Sequence, residues 1–172
     1  MCHAGTVMRP ARKTMTLQRG MTTVEFSIVG VVLFLILFGV IEFGRAMYVV
    51  NVLSEATRRG ARLAAVCPVN DPYPAEAAVF NYTGGSASAV IPGMTTSNVL
   101  IEYLDDNGNV ISDPVTNFDE IGYVRAQIVN FSMPLIIPIL NPTLSLSGFD
   151  VTLPRESLGV YRVAPPAGTT IC

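Results

Sequence analysis

Glu25 is an acid without a companion. It heads the stretch R-G-M-T-T-V-E-F-S-I-V-G-V-V-L-F-L-I-L-F-G-V-I (Arg19–Ile41), and from Phe26 to Ile41 no charged residue follows it. A carboxylate fully immersed in a bilayer costs on the order of 2.5–3.5 kcal/mol, so a nearby cation is expected. Gly20 offers one. Cutting the chain after Gly20 would make Met21 the N-terminus and Glu25 the fifth residue from it. A free α-amine titrates near about pH 7.7–8. It would carry positive charge beside that carboxylate, within one chain or between neighbours.

Other chemistry is scarce. The sole histidine is His3, so His-based acid–base catalysis, triads and common zinc sites lack material. No G-x-S-x-G, P-loop or dinucleotide fingerprint occurs. Asp105, Asn107 and Asn109 have the spacing of a calcium loop, yet Val110 and Thr116 stand where that loop needs its Gly and its bidentate Glu. A hairpin turn over D-D-N-G-N explains these residues better. No catalytic, cofactor-binding or metal-binding set is expected, and the chain reads as a non-enzyme. A net charge of −2 with no basic surplus leaves nucleic acid binding without an electrostatic basis.

The elements that must position Glu25 follow from hydropathy. Phe26–Ile41 makes about 24 Å of helix at about 1.5 Å per residue. Its flanks extend the run to the roughly 20 residues that a bilayer core needs. Beyond it, Ala46, Val49, Leu53, Ala56, Gly60 and Ala64 recur at helical steps, with Asn51, Glu55, Arg58, Arg59 and Arg62 on the opposite face. Glu42 with Arg45, and Glu55 with Arg58 or Arg59, can pair along it. Pro68 ends the helix, because its ring fits no helix interior. The pattern predicts one helix over Met21–Val66, half of it in lipid and half amphipathic.

Pro68–Gly93 is loop-rich, with room for a short helix at Ala75–Tyr82. Strands are predicted at Val99–Leu104 and Val110–Ile111 around the Asn-Gly turn, at Tyr123–Phe131, at Val151–Leu153 and at Gly159–Val163. The fold class is α+β: a small antiparallel β-sheet laid on the distal half of the helix. M-P-L-I-I-P-I-L (Met133–Leu140) is too short and proline-rich to span a bilayer. It is either a buried or edge segment, or a loop resting on the membrane surface or docking a partner.

A basic leader, Gly at the cut, Glu at the fifth mature position and an apolar helix resemble type IV prepilins and pseudopilins. The segment I-E-F-G-R-A-M-Y-V-V-N-V-L-S-E-A-T-R-R-G-A-R-L-A-A (Ile41–Ala65) is similar to the TadE-like family, pseudopilins of the tight adherence (Tad/Flp) pilus system. The resemblance runs over about Gly20 to Ala65. It implies a pilin-like fold and a minor pilin or pseudopilin acting in assembly of a Tad/Flp pilus, hence in adhesion. It further implies cleavage between Gly20 and Met21 by a prepilin peptidase, and pairing of Glu25 with the α-amine of an adjacent subunit to set register. The implied partners are the bilayer, that peptidase, other pilin subunits and the Tad assembly machinery. The rival reading is a permanently membrane-anchored periplasmic scaffold or assembly factor outside any filament.

Arg9, Arg12, Lys13 and Arg19 precede the apolar run with no acid among them. By the positive-inside rule the leader stays cytoplasmic and the C-terminal part crosses the membrane; the resemblance implies that this membrane is a bacterial inner membrane and the far side the periplasm. A cleaved secretory signal would need a small-residue site after the apolar run. Ile41-Glu42-Phe43-Gly44-Arg45 supplies none, so the helix is expected to be retained. Met8 and Met15 are alternative starts within the leader. Removing the leader removes Cys2 and leaves Cys67 and Cys172, an even pair in an oxidising compartment. They form a disulfide across a loop of about 105 residues, or Cys67 is a small buried residue and Cys172 stays free. The expected divisions are a leader over 1–20, the helix over 21–66 and a small periplasmic α+β domain over 67–172.

Overall fold

In the computed structural model, residues 19–81, 83–136, 143–160 and 172 are described. Helix α1 runs from Arg19 to Ala64. Two compact units divide the chain between Val40 and Ile41, and α1 contributes to both. In the first unit the described part is helix alone, consistent with an apolar sequence free of Pro and rich in side chains that satisfy no backbone group.

The second unit is α+β. It takes the end of α1, a short helix α2 (Tyr73–Ala78), and strands β1 (Val99–Leu104), β2 (Tyr123–Ile128), β3 (Ser132–Pro134), β4 (Thr143–Ser145) and β5 (Asp150–Pro154). The main sheet is antiparallel with order β1-β2-β5, and β3 pairs with β4 as a separate ribbon. Register sets the faces. Val99 opposite Ile128, Ile101 opposite Ala126 and Tyr103 opposite Val124 share one side, so a single alternation buries Val124, Ala126 and Ile128 together. The other side carries Glu102 opposite Arg125, joined at 2.5 Å, with Gln127 Nε2 donating to the same carboxylate.

The helix face expected from sequence packs on this sheet. Val49, Leu53 and Ala56 join Val79, Ile128 and Phe131 in one buried cluster. Ala64 joins Tyr103, Ile121 and Val124 in a second. Gly60 permits the close approach: a Cβ there would stand 3.2 Å from the Ala78 Cβ and 3.5 Å from the Ala126 Cβ. On the outer face Arg59 pairs with Glu55 and lies 4.7 Å above the Phe80 ring.

The end of α1 is closed from far along the chain. Helical carbonyls run out at Ala64, and Cys67 N–H folds back onto the Leu63 carbonyl just before Pro68. Glu156 and Leu158 then donate to the Ala65 carbonyl, and Gly159 to that of Val66. These bonds satisfy acceptors that a helix C-terminus leaves open. Gly159 has φ +80°, and a Cβ on it would meet Pro68 at 2.8 Å, so the position requires glycine. A disulfide joins Cys67 to Cys172, with the Cα atoms 5.7 Å apart.

Several local expectations shift. The hairpin turn forms, but Val110 makes a single bridge to Leu104 and no strand; β2 takes the place beside β1. Asp113-Pro114 follows too soon for Val110–Ile111 to extend. The short helix begins at Tyr73 rather than Ala75, since Pro72 and Pro74 suit a helix start, and it stops at Ala78 before Phe80 at φ +60°. The strand expected over Tyr123–Phe131 stops at Ile128 and resumes as β3. Gly159 and Val160 form no strand, because the Gly159 N–H caps α1. The remaining residues 161–163 of that expected strand lie outside the described residues, as do the basic leader through residue 18, residues 137–140 of the proline-broken run and Tyr82.

Candidate functional site

The functional surface begins with the apolar half of α1. Phe26 is 79% exposed and Leu35 62%. The most apolar window has a mean hydropathy of 2.7 and no residue buried within the protein. The helix is long and apolar enough to cross a membrane. A helix apolar on all sides needs lipid or other helices around it. Ser27 Oγ donates to the Thr23 carbonyl at 2.7 Å, so its hydroxyl is satisfied without water.

Glu25 lies exposed on this surface, and among the described residues no ion pair includes it. Gly20 and Met21 sit in the first turn of α1, which starts at Arg19. Backbone N–H groups of a first turn have no helical acceptor. The four-residue step from Met21 to Glu25 corresponds to about one helical turn, a rise of about 6 Å. An α-amine at Met21 would therefore be a neighbour of the Glu25 carboxylate on one helix, and equally available to a second helix alongside.

At the other end of the apolar run, Glu42 and Arg45 do more than pair along the helix. Arg45 Nη2 donates to Glu42 Oε1 at 2.5 Å and also to the Pro134 carbonyl. The E-F-G-R turn thus grips the chain where it leaves β3. Sequence reading found the helical spacing of the two charges and missed this use of them. The partner is a backbone carbonyl 89 residues away.

Elsewhere the polar groups hold turns. Asp105 Oδ1 accepts from the Asn107 and Asn109 N–H groups, and Asp105 Oδ2 from Asn109 Nδ2. The hydrogen bonds from the Asn109 side chain and backbone lower the Asp105 pKa. Asp113 is lowered in the same way by the Thr116 hydroxyl and N–H. The carboxylate that a calcium loop would use is occupied by its own turn. Tyr103 is pushed up by burial, against the Asn70 N–H that donates to its oxygen. Between α1 and β5 a groove of about 810 Å³ is lined by Arg58, Arg59, Arg62, Glu55 and Leu153 among others. It brings no nucleophile and base together. Among the described residues no group of three or more His, Cys, Asp or Glu is placed to hold a metal ion.

Residues 20–62 match the model of a family described as TadE-like protein. The match starts at Gly20, spans Glu25 and the E-F-G-R turn, and ends just after Gly60 and Ala61. No curated protein and no solved structure matches the chain.

Proposed function

Because α1 carries a TadE-like segment over residues 20–62, we propose that this protein is a minor pilin or pseudopilin acting in assembly of a Tad/Flp pilus. Family membership of that segment supports a part in the Tad pilus system. The finer reading rests on one observation: the apolar side chains of α1 from Phe26 to Ile41, with Glu25 just ahead of them, are exposed among the described residues. In a membrane that surface meets lipid, and in a filament it meets the same surface of other subunits. A prepilin peptidase cuts between Gly20 and Met21 and creates the α-amine. Glu25 then pairs with the α-amine of an adjacent subunit, which fixes the axial register of the two helices as both charges leave water. The leader lies in the cytoplasm and the domain after α1 in the periplasm of a bacterial inner membrane.

The deciding measurement is the N-terminus of the mature protein from its native membrane, with and without the peptidase. A start at Met21 that depends on the peptidase is the expected result. An intact leader in both strains would leave a permanently anchored periplasmic scaffold and remove the filament mechanism.

A further inference from the structure

We propose that Pro134–Ile136, where the chain leaves β3, is a second membrane contact that rests on lipid at the bilayer surface from which α1 emerges. The inference depends on α1 spanning a bilayer and is independent of any pilus. Its level is set by the E-F-G-R turn. Glu42 and Arg45 are the first charges after the apolar run, so they mark where the helix passes from hydrocarbon to headgroups. Arg45 holds Pro134 to that same turn by donating to the Pro134 carbonyl.

Three features favour lipid as the occupant. First, irregular backbone near hydrocarbon needs its polar groups satisfied. Arg45, itself paired with Glu42, supplies the donor to the Pro134 carbonyl. Second, Met133 is buried in the core whereas Ile136 is 68% exposed, so the segment turns an apolar side chain outward at this level. Leu144 on β4 and Phe43, Met47 and Tyr48 on α1 are exposed in the same unit, and tyrosine is enriched at membrane–water boundaries. Third, no charged residue occurs between Arg125 and Asp150, while Asp105, Asp106, Asp113, Asp119 and Glu120 crowd the connection between β1 and β2. A charged docking surface would need side chains that this stretch does not have. An apolar, hydrogen-bonded loop level with the end of a membrane helix suits the headgroup–acyl boundary.

The chain contains no tryptophan, so one introduced residue reports its own surroundings. Full-length protein carrying Ile136→Trp is reconstituted in phosphatidylcholine vesicles whose acyl chains are brominated near the headgroup. Phe26→Trp serves as the reference for insertion of α1, and Val115→Trp, at a 63% exposed position between β1 and β2, as the reference for water. The expected result is blue-shifted emission from Ile136→Trp that loses most of its intensity to the shallow bromines, with Val115→Trp unaffected. Water-like, unquenched emission from Ile136→Trp beside a quenched Phe26→Trp would overturn the proposal and leave insertion standing. Blue-shifted but unquenched emission would assign the segment to a protein contact and overturn it too. An unquenched Phe26→Trp would remove the membrane premise, and the proposal with it.

Discussion

At the scale of single residues, Glu25 carries the strongest prediction. Glu25→Ala or Glu25→Leu removes a charge from an apolar helix, so membrane insertion is expected to be unaffected or improved. Under the proposed pairing, pilus assembly should nevertheless fall, because the α-amine of the neighbouring subunit would lose its partner. Membrane fractionation and the subunit content of sheared surface fibres separate the two effects, and normal piliation in either variant would end the pairing model. Tyr103 gives a second test, in pH. Burial raises its pKa above 10.0, so the folded state favours the neutral phenol. Its contribution is fully present below about pH 10 and is lost as pH rises through the folded value. Tyr103→Phe should flatten the alkaline side of the stability profile of the solubilised protein. Asp105 and Asp113 act with the opposite sign. Their lowered values stabilise the turns above 3.8, and that contribution is lost as pH falls through the folded values. Glu25 was legible in the sequence because a lone charge in an apolar run is a one-dimensional signal. The grip of Arg45 on Pro134 was not, since a carbonyl has no residue type to announce it.

At the scale of elements, the packing of α1 on the sheet is controlled by small residues. Ala56 and Ala64 pack in the buried clusters with α2 and β2 residues, and at Gly60 a Cβ would stand 3.2 Å from Ala78 and 3.5 Å from Ala126. Gly60→Ala adds helix propensity of about 1 kcal/mol against a contact of 3.2 Å that Ala78 must relieve, so its net effect should be small. Gly60→Val adds branches to the same space and should destabilise by about 1–3 kcal/mol. Thermal melts of the two variants in detergent decide whether the contact limits the fold; equal melts would show slack there. The helical face was readable because its period is local, and so was a strand beginning at Tyr123, whose alternation buries Val124, Ala126 and Ile128 in the structure. The partner of β1 was not readable. A two-residue apolar run after Asn-Gly looks like a returning strand, but β2 offers six residues in register and wins the edge. Capping of α1 by Glu156–Gly159 was hidden for a related reason: it is a contact between backbone groups distant in sequence.

At the scale of the whole molecule, one chain has to satisfy two solvents. The described side chains from Val24 to Val40 are apolar and exposed apart from Glu25 and a few small residues, while the unit from Ile41 onward has its own buried core and a disulfide. The bridge closes a separation of 105 residues, for which the loop-entropy account gives at most about 4.7 kcal/mol. Cys67→Ser with Cys172→Ser should therefore lower the stability of the second unit by about 2–4 kcal/mol. The bridge also makes the orientation of the protein testable. Protease added to intact spheroplasts reaches a periplasmic domain and leaves a cytoplasmic one untouched. Exposed connections such as Thr83–Val90 are the expected cutting sites, because loop tips with small or polar residues are preferred. Every such cut falls between Cys67 and Cys172, so the two pieces stay joined until the disulfide is reduced. A band of unchanged size without reductant that splits when reductant is added would place the domain outside the membrane with its bridge formed. Immediate splitting without reductant would place the domain outside but without the bridge. A chain that resists protease until the spheroplasts are lysed would put the domain in the cytoplasm, reverse the orientation inferred from Arg9, Arg12, Lys13 and Arg19, and leave Glu25 at the wrong end of the membrane for a peptidase acting on the leader.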